Sequence, residues 1–172
     1  NDTSGKVIFD PQEGNNNIEI KINAGSVDTG NESMEKLLRG EDFYPDGILS
    51  RLKNRGVNTG WMPALLRDLA PSGIFREFGS GYKTRINNLR KQVDKAMRYG
   101  IRLYLYLNEP RYMPESFFKK HPKVKGMRAF QHGHYGMCTS EGQVRDWIYE
   151  SIRFIFSRIP ELGGIILITA SE

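Results

Sequence analysis

The run Gly164-Ile165-Ile166-Leu167-Ile168-Thr169-Ala170-Ser171 constrains this chain more than any other segment. It carries no charge and follows both a glycine pair and a long helical pattern. Such a run predicts a parallel strand covered on both faces. Glu172 comes directly after it, and a carboxylate just past the C-terminal end of such a strand sits where α/β barrels carry their chemistry. Because the chain stops on that residue, it reads as part of a protein.

The preceding sequence repeats the same grammar. Pro45 starts a helix with Ile48, Leu49 and Leu52 on one side, and Gly56 ends it. Val57 to Met62 follows as a strand closed by Pro63. A loop with Pro71, Gly73, Gly79 and Gly81 leads to Arg85–Tyr99. There Ile86, Leu89, Val93, Ala96 and Met97 form a helical stripe that ends at Gly100. Ile101 to Leu107 is a second strand, Pro114 opens a short helix through Lys120, and Gly126 to Ser140 reads as a loop. Glu141 to Arg158 is a third helix leading into the last strand. Upstream, Ile18, Ile20 and Ile22 alternate with polar residues as in a half-buried strand, and Ser33 to Leu38 reads as a short helix.

Alternating helices and strands imply βαβ units and a parallel sheet. A doubly wound nucleotide binder would carry a glycine-rich turn after its first strand, but Met62-Pro63-Ala64-Leu65-Leu66 stands there. Gly79-Ser80-Gly81-Tyr82-Lys83-Thr84 has the outline of a phosphate loop, yet Tyr82 occupies a position that needs glycine. The expected fold is therefore α/β, of the (β/α)8 TIM-barrel type. A full barrel needs about 250 residues, so this chain would supply the first half, with Ile18–Asn23 as strand one. Residues 1–43 form an N-terminal segment and 44–172 the partial barrel.

Composition removes several classes. The 172 residues are 38% apolar and 26% charged, with a net charge of +5. No apolar run is long enough to span a membrane. Lys119, Lys120, Lys123 and Lys125 make the densest basic cluster, but without the interleaved aromatics of a base-stacking platform, so nucleic acid is not the expected partner. A lone cysteine, Cys138, excludes an internal disulfide and a cysteine-based zinc site. His132 and His134 lack a third metal ligand, and neither metal nor cofactor is expected. Localisation stays open.

In a barrel the strand ends converge on one mouth. Trp61, Arg67 and Asp68 gather at and after the end of the second barrel strand, Asn108, Glu109 and Arg111 after the third, and Ser171 and Glu172 after the fourth. Aromatic rings cover sugar C–H surfaces, and carboxylates serve as acid, base or nucleophile in glycoside chemistry. Each also has a plainer role: Glu109 capping the turn at Pro110, Arg67 and Asp68 as a surface ion pair, and Trp61 as core.

Six segments together resemble bacterial glycoside-hydrolase-like barrels related to the family 20 β-N-acetylhexosaminidases. They are Tyr44-Pro45-Asp46-Gly47, Leu66-Arg67-Asp68-Leu69-Ala70-Pro71, Tyr104 through Arg111, Met113-Pro114, Cys138-Thr139-Ser140 and Ile168 through Glu172. The resemblance covers about residues 44–172. It implies a (β/α)8 barrel, a glycan substrate and Glu172 as general acid at the end of strand four. Family 20 enzymes carry an Asp-Glu pair there, whereas Ser171 precedes Glu172, which weighs against substrate-assisted catalysis. The alternatives are a non-catalytic carbohydrate-binding or degenerate barrel, and a small doubly wound α/β domain. A half barrel would also expose strand edges, through which copies of the chain are expected to associate.

Overall fold

A computed structural model of the protein describes residues 30–129 and 132–168. The expected strand Ile18–Asn23 and the candidates Ser171 and Glu172 lie outside the described residues.

The first helix, α1 (Asn31–Arg39), buries Met34 and Leu37, and α2 (Asp46–Asn54) starts after Pro45 and buries Leu49. Strand β1 (Thr59–Ala64) leads through the four-residue helix α3 (Leu66–Leu69) to α4 (Tyr82–Arg98). The stripe expected on α4 is the one it buries: Ile86, Leu89, Val93 and Ala96. Strand β2 (Arg102–Asn108) follows, and after it comes an insertion. The insertion comprises β3 (Met113–Pro114), α5 (Glu115–Lys120), a 3-10 turn (Pro122–Val124), β4 (Lys125–Arg128) and β5 (His134–Met137). Helix α6 (Gly142–Arg158) and strand β6 (Gly164–Ile168) complete the described chain.

Among the described residues two sheets form. The first is parallel, in the order β1-β2-β6, and is open within those residues. The second, β3-β5-β4, is antiparallel and built wholly from the insertion. The fold is thus mixed α/β with a parallel sheet. Strands β4 and β5 fall where a loop was expected. They are short, each contains glycine, and Lys-Gly-Met-Arg and His-Tyr-Gly-Met show no alternation for a period-2 reading to detect.

Alternation on β2 divides the parallel sheet into two faces. Leu103, Leu105 and Leu107 are buried, while Tyr104, Tyr106 and Asn108 are half-buried. The register puts Met62 beside Leu105 and Trp61 beside Tyr104, so β1 divides in the same way. The buried face packs against Met34 and Leu37 of α1, Leu89 and Val93 of α4, and Val144 and Ile155 of α6. An aromatic group fastens the insertion to this core: Phe75 lies 5.6 Å from Phe117 and 5.8 Å from Trp147, and Phe78 stacks on Phe117 at 5.5 Å.

Strand β6 departs from expectation. It is not covered on both faces: Ile166 is 38% and Leu167 50% exposed. The cause is position, because among the described residues β6 is the outer strand of the parallel sheet. The glycine pair before it has a steric reason. A Cβ on Gly163 would lie 2.3 Å from Cε2 of Tyr104, so the chain crosses the tyrosine ring only where it lacks a side chain.

The opposite edge is sealed. The Asn58 carbonyl accepts the Arg102 N–H, so alternate residues from Asn58 turn their backbone to β2, and Trp61 and Pro63 turn theirs outward. The Tyr44 hydroxyl answers both groups of Trp61, donating to its carbonyl at 2.7 Å and accepting its N–H at 3.1 Å. Pro63 has no N–H to offer, which explains how a proline expected to end the strand lies inside it. Gly60 makes room for the tyrosine, since a Cβ there would meet its hydroxyl oxygen at 3.1 Å.

Candidate functional site

The C-terminal ends of β1 and β2 meet at Glu109. This residue follows β2 directly, is 3% exposed, and forms a cis peptide bond with Pro110. Its carboxylate ties two loops together. Oε1 accepts the Leu66 N–H, the first of α3, at 3.0 Å, and Oε2 accepts the Arg111 N–H at 3.0 Å. The capping role weighed from sequence is therefore real, and it extends to the loop after β1 as well as the turn after β2.

Burial pushes the Glu109 carboxyl up to about 7, against the two backbone N–H groups and the charges of Arg67 and Arg111, which pull it down. A carboxyl in that range can exchange a proton near neutral pH, the requirement for a general acid or base. It forms part of the wall of a cleft of about 1010 Å³ between the strand ends, α6 and the antiparallel sheet. Leu107, Ile148, Ile152 and Leu167 line its apolar side, and Met127, Arg128, Met137, Cys138 and Thr139 line the side made by the insertion and the loop after β5.

Arg67 and Asp68 sit on α3 beside Glu109. Arg67 is not merely half of a surface pair: Nη2 donates to Asn31 Oδ1 at 3.2 Å and Nη1 to the Met113 sulfur at 3.3 Å, while Nε lies 3.9 Å from Asp68. It thus links α1, α3 and β3. Burial raises the Asp68 pKa, opposed by Arg67 and Arg85.

The remaining candidates lie elsewhere. Trp61 and Asn108 belong to the half-buried face of the sheet, whereas Glu109, one residue on, belongs by alternation to the face carrying Leu105 and Leu107. The structure therefore groups Arg67, Asp68, Glu109 and Arg111, and keeps Trp61 and Asn108 on the other face. There Trp61 packs against Tyr106 with ring centroids 5.1 Å apart. Tyr106 was not among the candidates read from the sequence. The signal was present, since Tyr104-Leu105-Tyr106-Leu107 alternates with period 2.

Among the described residues, no group of three or more His, Cys, Asp and Glu side chains could hold a metal ion. No described helix is long and apolar enough to cross a membrane.

No protein-family model matches the chain, and no curated protein matches it. Among solved structures it is similar to one described as a noncanonic maltogenic alpha-amylase AmyB from Thermotoga neapolitana, at 16% sequence identity and a TM-score of 0.47. The likeness covers 81% of this chain and 35% of that one, so this chain spans well under half the length of its neighbour. A likeness of that size establishes neither fold nor activity for this chain. The family 20 resemblance draws no support from these comparisons.

Proposed function

We propose that this chain is a carbohydrate-active α/β module arranged like the first half of a (β/α)8 barrel. Glu172 is its general acid. Trp61 and Asn108 meet the glycan from the half-buried sheet face, Glu109, Arg111, Arg67 and Asp68 meet it from the loops past the strand ends, and Ser171 completes the site. One observation carries the reading: the Trp61–Tyr106 pair on the half-buried sheet face, with Asn108 two residues beyond Tyr106 at the end of β2. Paired aromatic rings on one face of a parallel sheet offer flat apolar surface to sugar C–H groups, with a polar side chain on the same face. The sheet order β1-β2-β6 adds support, because each parallel strand neighbours the next one in sequence, as a barrel requires.

Glycan binding and turnover test this directly. In the complete protein, Glu172→Gln should lower turnover by orders of magnitude with the fold intact, and Trp61→Ala should weaken glycan binding. Unchanged turnover in the first variant removes Glu172 from the mechanism. Binding without hydrolysis by the unmodified protein favours a non-catalytic carbohydrate-binding barrel.

A second reading rests on the sealed β1 edge. A barrel whose first strand is Ile18–Asn23 would have to pair that strand along β1, where the Tyr44 hydroxyl already holds both backbone groups of Trp61. That favours a small α/β domain whose sheet begins at β1. Amide hydrogen exchange separates the two: protection across residues 18–23 supports the barrel, and rapid exchange there supports the smaller domain.

A further inference from the structure

The net charge of the chain is concentrated in one place. Residues 115–128 hold Lys119, Lys120, Lys123, Lys125 and Arg128 against a single carboxylate, Glu115, and so account for four of the five net positive charges. The rest of the chain is close to neutral. An ordinary solvated surface intersperses both signs, and a one-sign field of this kind attracts a ligand of opposite charge.

The structure sorts these cations. Lys125 is occupied: Nζ lies 3.3 Å from Glu115 and 3.6 Å from the centre of the Tyr135 ring. Lys120 reaches Glu77 at 3.4 Å and remains 69% exposed. Lys119, Lys123 and Arg128 are exposed. All lie on α5, the 3-10 turn and β4, in the insertion after β2, and Arg128 also lines the cleft that holds Glu109. Arg128 thus stands at the rim of the cleft, and Lys119 and Lys123 lie on the two elements that lead into its strand.

We infer that this surface, from Lys119 through Lys123 to Arg128, binds an acidic polysaccharide whose carboxylate or sulfate groups pair with the exposed cations while the chain follows the cleft rim. The inference rests on the carbohydrate reading above and specifies the class of glycan. A single-stranded nucleic acid fits less well. Base stacking needs open ring faces, whereas Phe117 and Phe118 are buried and the Tyr135 ring is covered by Lys125. What remains exposed is a set of point charges suited to anionic groups at intervals, together with the Met127 side chain beside Arg128, which offers a flexible apolar contact but no ring face for stacking.

Affinity electrophoresis of the full chain in gels containing polygalacturonate, heparin or neutral dextran tests this. Both acidic polymers should retard the protein, and retardation should fall steeply between low and physiological salt. The triple variant Lys119→Gln, Lys123→Gln, Arg128→Gln should weaken acidic-polymer binding at least tenfold. A charge-matched control, Lys53→Gln, Lys83→Gln, Arg90→Gln, removes three exposed cations elsewhere and should change it less than twofold. Equal losses in the two variants would reduce the effect to net charge and overturn the inference. Duplex DNA or anionic vesicles competing as well as heparin would overturn it too. Binding of neutral glycan alone would overturn the acidic class while leaving the carbohydrate reading standing. Absence of binding to every glycan would remove both.

Discussion

At the β1 edge of the parallel sheet, a hydroxyl from outside the strand occupies both outward backbone groups of Trp61, and Pro63 has no N–H to present. At the β6 edge, five uncharged residues run outward with Ile166 and Leu167 exposed, and by strand alternation Ile165 and Leu167 turn their N–H and C=O groups away from β2. Edge strands template further pairing unless something blocks them. The difference gives the sheet a direction. Addition at β1 is opposed by side chains already in place, while β6 carries none of the usual devices of charge, proline or bulge. The same asymmetry appears at the strand ends. Glu109 clamps the start of α3 to β2 on the β1 side, whereas on the β6 side one backbone bond joins Glu109 N–H to the Ile168 carbonyl at 3.3 Å.

The largest effect that can break this comparison is in pH. The Glu109 carboxyl titrates at about 7 in the folded chain against an ordinary value of 4.5. Between those values the folded chain holds a proton that the unfolded chain has lost. Stability should therefore fall as pH rises from about 4.5 through 7, by about 3 kcal/mol in all, with the loss complete above the folded pKa. Urea unfolding across this window checks it, and Glu109→Gln should flatten the slope. A slope unchanged in that variant would mean that the clamp on the β1 side owes nothing to the ionisation of Glu109.

Next in size is the edge seal. Tyr44→Phe keeps the ring and removes the hydroxyl, leaving two backbone groups of Trp61 without their partner. The expected cost is about 1–3 kcal/mol, with concentration-dependent association visible by light scattering as β1 opens. Gly163→Ala should cost a similar or slightly smaller amount, about 1–3 kcal/mol, because the Tyr104 ring must yield to the new methyl group. Chemical denaturation measures it, and a neutral outcome would show that the entry to β6 is loose. The smallest thermodynamic effect belongs to Ile166→Lys, within about 0.5 kcal/mol because the side chain is exposed. It should nevertheless reduce any self-association of the chain. Association that persists in Ile166→Lys would locate the sticky surface away from β6.

Much of the parallel layer was legible because it is built from long, periodic segments. The stripe on α4 and the runs at β2 and β6 can be read from one local pattern each, and their ends are marked by Gly100, Pro160 and the Gly163-Gly164 pair. The antiparallel sheet was not legible, because β3, β4 and β5 are two to four residues long and are held by each other and by the Phe75–Phe117–Trp147 group rather than by their own periodicity. The candidate site shows the same division. Arg67, Asp68, Glu109 and Arg111 were marked by their position after strands. That Asn108 and Glu109 belong to opposite faces follows from a pleat whose phase is fixed only when Leu103, Leu105 and Leu107 meet the helices.

The sequence by itself determined the order α2, β1, α4, β2, α6 and β6, the parallel character of the sheet these strands form, and the excess of positive charge in residues 115–128, because each depends on residues close together in the chain. The tertiary structure decided which sheet face is covered, that Tyr44 closes the β1 edge across 17 positions, and that the basic segment borders the cleft holding Glu109. Those outcomes depend on contacts between distant residues, and a hydroxyl finds the N–H and C=O of a remote strand only after both have been packed into place.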